Sequence, residues 1–149
     1  MTAHIYRDTL DCVGYEQLDI SGDAGVRATG GSLEELFESA ALGMYSLVTD
    51  LEGLREKTTI TVEAESDSPE GLLVSFLNEL IFRLDTDGFV GKKVRMLRMG
   101  EEKLKAEITG EEFDPERHEA GLLLKAATYH GLKVEERDGR WSAEVIFDI

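Results

Sequence analysis

The hydrophobic positions of this chain change period along its length, and each change marks an element. Val13-Gly-Tyr-Glu-Gln-Leu-Asp19 and Gly25-Val-Arg-Ala-Thr-Gly30 read as short strands, with Val26 and Ala28 alternating toward a core. From Leu33 the apolar residues step at helical spacing through Leu36, Phe37, Ala40, Ala41, Met44, Tyr45 and Val48, one continuous stripe. Ser32-Leu-Glu-Glu35 in front of it is a capping box, and Thr49-Asp50 with Gly53 closes the helix. Thr59-Ile-Thr-Val-Glu-Ala-Glu65 returns to strict alternation, which turns Ile60, Val62 and Ala64 inward. Ser68-Pro69-Glu70 then supplies an N-cap with proline at the first helical position, where its missing N–H costs nothing. This second helix presents Leu72, Leu73, Phe76, Leu77, Leu80, Ile81 and Leu84 on one face, and Asp85-Thr-Asp-Gly88 stops it.

Beyond Gly88 the period is close to two until the end. Phe89 to Met99 and Lys103 to Thr109 read as strands joined by a turn at Gly100-Glu-Glu102. Leu122 to His130, Leu132 to Glu136 and Trp141 to Asp148 follow, the last two closed by Asp138-Gly139, a strong hairpin signal. Between them, Gly110-Glu-Glu-Phe-Asp-Pro-Glu-Arg-His118 reads as a loop with unusual chemistry. The order β, β, α, β, α and then a run of strands predicts an α+β fold, two helices packed on a largely antiparallel or mixed sheet, in a single domain over 1–149.

Composition narrows the function. A chain of 149 residues with 42% apolar and 32% charged residues is an ordinary globular protein with enough length for a real core. No apolar run is long enough to span a bilayer, and the first residues lack the apolar core of a signal peptide. The lone Cys12 excludes an internal disulfide and a thiolate cluster, which points to a reducing cytoplasm. A net charge of −15 repels the phosphate backbone, so any RNA should be held by another protein. Lys92, Lys93, Arg95 and Arg98 do cluster in one expected strand, where they read as a charged solvent face.

Candidate chemistry gathers at the two ends. Asp19 and Asp23 flank a strand edge, and Phe147-Asp148-Ile149 ends on another, offering the Asp148 side chain and the terminal carboxylate of Ile149. Should these ends meet, their oxygens suit a hard divalent cation; taken alone, two aspartates at that spacing most often mark a turn bonded to its own backbone. Lys125 interrupts the apolar run Leu122-Leu-Leu-Lys-Ala-Ala127, either to blunt an exposed strand or to act on a partner. Alternation would put Lys125 and Tyr129 on one face and Thr128 and His130 on the other. His118 and His130 are each placed to bond a neighbouring carbonyl or to ligate.

These residues, in their order and spacing, resemble the archease family along nearly the whole chain. The resemblance is carried by Tyr15-Glu-Gln-Leu-Asp19, Asp23-Ala-Gly-Val26, Ser32-Leu-Glu-Glu-Leu-Phe37, Thr49-Asp50 and Leu77-Asn-Glu-Leu80. It continues in the Gly110 to His118 stretch, Lys125-Ala-Ala-Thr-Tyr-His130 and the terminal Asp148-Ile149. The family's first motif usually reads Leu-Asp-His-Thr-Ala-Asp; here Ile20 stands for the histidine, and Ser21 and Gly22 for the threonine and alanine. The resemblance implies an accessory protein, not itself an enzyme, that assists an RtcB-type tRNA-splicing ligase by speeding guanylylation so that it turns over repeatedly. It implies a divalent metal, Ca²⁺, Mg²⁺ or Mn²⁺, held by Asp23 and Asp148, to which Asp19 and Ile149 would add oxygens, and a required lysine at Lys125. RNA would be met only through the ligase, with no membrane involved. Two other functions stay open: a chaperone-like modulator of a tRNA methyltransferase, and a free-standing metal-dependent hydrolase built on Asp19, Asp23 and His130.

Overall fold

The computed structural model describes residues 6–7, 14–20 and 22–149. Cys12, Ser21 and the expected strand start at Val13 lie outside the described residues. In chain order the elements are β1 (Tyr6–Arg7), β2 (Gly14–Ile20), β3 (Asp23–Gly30), α1 (Leu33–Val48), β4 (Thr58–Glu65) and α2 (Pro69–Asp87). They continue with β5 (Phe89–Met99), β6 (Lys103–Glu112), β7 (Ala126–Ala127), β8 (Val134–Arg137) and β9 (Arg140–Asp148), and a short 3₁₀ turn at Leu51–Gly53 follows α1.

Both helix starts behave as their caps require. The Ser32 hydroxyl accepts from the Glu35 N–H at 3.1 Å while the Glu35 carboxylate accepts from the Gly31 N–H at 2.8 Å. Ser68 accepts from the Gly71 N–H at 2.9 Å, and Pro69 opens α2. The apolar stripes are buried as the spacing predicts: Leu36, Phe37, Met44 and Tyr45 on α1, and Leu73, Phe76, Leu77 and Leu80 on α2, are fully inaccessible. Phe37 and Phe76 join the two helices, their rings stacked with centroids 6.1 Å apart.

The strands form two antiparallel sheets. The first runs β1-β2-β3-β9-β7, with β8 also on β9; the second runs β4-β6-β5. α1 packs on β2 and β3 and reaches β5, and α2 packs on β4 and reaches β7, so one core fills the space between helices and sheets. The β8–β9 hairpin turns at Asp138 and Gly139, with φ of 54° and 80°, the pair of left-handed residues that a two-residue turn demands.

Four expectations need correction. The strand expected over Leu122 to His130 is reduced to Ala126–Ala127. Three consecutive leucines cannot alternate, and the chain there crosses the end of α1 instead: the Gly121 and Leu122 N–H groups each donate to a carbonyl left unpaired by that helix, Val48 and Leu47, at 2.8 Å. The face assignment of Lys125, Tyr129, Thr128 and His130 by strand alternation therefore lapses. In the other direction, β6 runs through Glu112, so Glu111 belongs to a strand end and not to a loop. Lys92 also departs from a solvent face, since its Nζ donates to the Leu51 and Leu54 carbonyls at 3.2 and 2.9 Å.

Candidate metal and partner site

Register brings the two ends of the chain together. In the β2–β3 hairpin Ile20 pairs with Asp23 and Asp19 with Ala24; across the next ladder Ala24 pairs with Phe147, leaving Asp148 one step further on. Asp23 and Asp148 thus stand side by side at the same end of adjacent strands, both exposed. Alternation fixes their common face. Ala24, Val26, Ala28, Val145 and Phe147 point into the core, so Asp23, Arg27, Glu144 and Asp148 point out. The ion pairs of Arg27 with Glu16 at 3.0 Å and with Glu144 at 2.6 Å confirm that outer face.

The other expected ligands divide. Asp19 opposes the inward residue Ala24 and lies on the same side of β2 as Gln17, whose amide donates to Ser46 of α1 at 3.0 and 3.2 Å. It shares the sheet end with Asp23 but projects to the opposite face. Ile149 follows Asp148 directly and is 41% exposed. Lys125 is brought alongside, its N–H donating to the Asp148 carbonyl at 2.8 Å just before Ala126 pairs with Asp148, and its side chain is exposed. His130 is exposed beyond β7 and takes no place with the aspartates.

As a donor set, Asp23 and Asp148 offer hard anionic oxygens on one face, which fits a hard divalent cation. Among the described residues no three histidine, cysteine, aspartate or glutamate side chains form a metal-ready group. A cation bound by this carboxylate pair would have to take its remaining ligands from main chain, water or another molecule.

The stretch whose sequence reads as a loop carries a buried polar cluster. Glu111, 4% exposed, takes the Arg55 N–H at 2.7 Å and the His118 ring at 2.9 Å on one oxygen, and the Arg117 guanidinium on the other. His118 Nδ1 accepts from the Asp114 N–H at 2.8 Å, so its proton sits on Nε2 and is donated to Glu111. Burial raises the Glu111 pKa, but the bonds from Arg55, Arg117 and His118 and the arginine charge outweigh it and hold the group at about 2. The cluster ties Asp114 to His118 onto the end of β6 and so fixes the course of the chain toward Gly121. Its sequence signal was an acid just beyond an expected strand with an arginine and a histidine closely following.

Two helices packed with antiparallel sheets define a small α+β protein in which, among the described residues, no helix is long and apolar enough to cross a membrane. The archease protein family (MTH1598/TM1083) matches residues 15–149 of it. The chain is 38% identical to the protein archease of Pyrococcus furiosus over 139 residues, covering 91% of this chain and 98% of that one. Against the protein archease of Thermococcus kodakarensis the identity is 39%, with the same coverage. The solution structure of Methanobacterium thermoautotrophicum protein 1598 superposes with a TM-score of 0.77 at 36% identity, covering 91% of this chain and 99% of that one. A crystal structure of an "archease, possible chaperone" from Thermotoga maritima shares the fold, with a TM-score of 0.58 at 23% identity and coverage of 98% and 99%. The chain belongs to the archease family.

Proposed function

We propose that this protein is an accessory factor that activates an RtcB-type RNA ligase in the cytoplasm, acting through a divalent cation at Asp23 and Asp148 and through the charge of Lys125. The observation that carries this reading is the convergence of these three residues, remote in sequence, at one end of one sheet. A divalent cation there would neutralise phosphate charge and orient a nucleotide in the ligase site. Asp23 and Asp148 hold and present it from an open face, which leaves room for ligands from the ligase. Lys125 adds a compact, mobile ammonium beside them, suited to a phosphate oxygen or an acidic group of the partner. With a net charge of −15 the protein meets RNA only by way of the ligase. Nothing in this scheme requires chemistry by the protein alone.

The test is multiple-turnover RNA ligation by the cognate ligase, with and without this protein. Stimulation by the wild type, lost in Asp148→Asn, supports the reading. No stimulation by the wild type overturns it, and tight binding to a tRNA methyltransferase independent of Asp148 would then favour the chaperone-like role. Calorimetry with Mg²⁺, Mn²⁺ or Ca²⁺ checks the carboxylate pair separately: equal affinity for wild type, Asp23→Asn and Asp148→Asn removes the metal from it.

A further inference from the structure

Leu123 is 88% exposed, beside Leu122 at 39%, yet the segment that carries them is firmly held. At one end the Gly121 and Leu122 N–H groups bond the last carbonyls of α1; at the other the Lys125 N–H bonds Asp148. Gly121 is required at its place, because a Cβ there would stand 2.3 Å from the Leu47 oxygen and 2.7 Å from the Val48 oxygen. A single exposed leucine is ordinary, but two neighbouring ones that line an apolar groove make a contiguous patch of the kind that marks an interaction site. The groove measures about 510 Å³, and its floor includes Val48, Leu84, Phe113 and Leu124. Asp85, Asp87 and Glu112 also line it, and among the described residues no lysine or arginine does.

We propose that this leucine strip and its acid-lined groove are the docking surface for the partner, and that they receive a segment presenting an apolar side chain flanked by lysine or arginine. The proposal rests on the function given above and names the contact that delivers the site. Charge selects the occupant. The charged residues that line the groove are all acidic, and a protein that holds an RNA backbone carries an excess of basic residues near its channel. A second copy of this chain, itself at −15, would be repelled. Position selects the same occupant, since the strip leads directly into Lys125 and, through its main-chain bond, Asp148. A partner seated on Leu123 is thereby placed in register with the carboxylate pair. Because the strip is already ordered, docking loses little chain entropy.

The experiment titrates wild type, Leu123→Asp, the double variant Asp85→Lys/Asp87→Lys and Asp148→Asn into multiple-turnover ligation by the purified ligase. Leu123 is exposed, so Leu123→Asp should fold as the parent does, which circular dichroism verifies. The half-saturating concentration should rise roughly tenfold or more for Leu123→Asp and for the charge reversal, as when an interface anchor is lost. Their stimulation at saturation should stay near that of the wild type. Asp148→Asn should do the reverse, keeping half-saturation and losing the maximum. Added salt should weaken the wild type more than the charge-reversed variant. Wild-type stimulation with unchanged half-saturation in both surface variants overturns the docking surface and leaves the activator function standing. Absence of wild-type stimulation overturns both. A concentration-dependent dimer in sedimentation, abolished by Leu123→Asp, would assign the strip to a second copy and also overturn the proposal.

Discussion

Replacing Glu111 by leucine tests whether the buried clasp at the end of β6 holds the 113–121 segment in place. The substitution keeps approximate volume and removes every acceptor. His118 is then trapped. Its Nε2–H, on a side chain with no exposed surface, loses its only partner, and moving the proton to Nδ1 would instead orphan the Asp114 N–H that Nδ1 now accepts. One buried donor must go unpaired in either tautomer, at about 1–3 kcal/mol. The Arg55 N–H loses a charge-assisted bond as well, and the orphaned donor and the lost bond together should cost about 3–5 kcal/mol. Glu111→Gln should cost less, roughly 1–2 kcal/mol, because an amide oxygen can still serve Arg55 and His118 while Arg117, 31% exposed, turns to water.

Urea unfolding at neutral pH measures both variants, with the midpoint expected to fall and the slope to stay constant. The pH dependence carries the sign. Glu111 titrates at about 2 in the folded chain against an ordinary 4.5, so its contribution is present above about 4.5 and is lost as pH falls toward 2. The stability gap between wild type and either variant should therefore narrow across that window. A loss under about 1 kcal/mol in Glu111→Leu, or a gap that widens in acid, would refute the assigned network.

Three further outcomes follow from positions already placed. Phe76→Ala empties a fully buried site stacked on Phe37 and should cost roughly 3–5 kcal/mol by denaturant titration; a loss under about 1 kcal/mol would mean the helix face is misassigned. Lys125→Ala should leave stability within about 0.5 kcal/mol, as for an exposed residue, while ligation stimulation disappears; full stimulation by both Lys125→Ala and Lys125→Arg would remove the lysine from the mechanism. Gly121→Ala should push the leucine strip off the end of α1 and lower thermal stability, which differential scanning calorimetry would register, whereas an unchanged midpoint would mean the close approach to the Leu47 and Val48 carbonyls is not needed.

The elements with strong periodicity were legible because local and tertiary demands agree in them. Ser32 and Ser68 cap where the stripes begin, and the long strands β4, β6 and β9 follow their alternation. The region from Gly110 to His130 was harder because its backbone is organised by partners distant in sequence. Leu122 to Leu124 looks like a buried strand core by composition, but the unpaired carbonyls of α1 capture the Gly121 and Leu122 N–H groups, and Leu123 stays outside. Glu111 reads as one more surface acid until Arg55 and His118 are seen to surround it. The carboxylate pair at Asp23 and Asp148 was legible only as two strand edges; their adjacency depends on β3 lying between β2 and β9, which no local pattern specifies.

Face, more than distance, decides what the sheet end can hold. Asp19 and Asp23 sit in one hairpin, yet the pleat sends Asp19 toward the side of α1 and Asp23 outward with Asp148. Ile20, which stands where the family usually has histidine, pairs with Asp23 and so shares that outer face. There its Cδ1 and that of Ile146 close over Gly25, 3.0 and 3.2 Å from where a Cβ would stand. The position that could have given a nitrogen ligand instead makes an apolar cover next to the carboxylates. A cation bound at these carboxylates would then meet oxygen donors only, an arrangement that disfavours the softer, nitrogen-preferring cations. Ile20→His should accordingly raise affinity for Zn²⁺ relative to Mg²⁺ or Ca²⁺ in calorimetric titration, and an unchanged ratio would mean that residue 20 does not reach the ion held by Asp23 and Asp148.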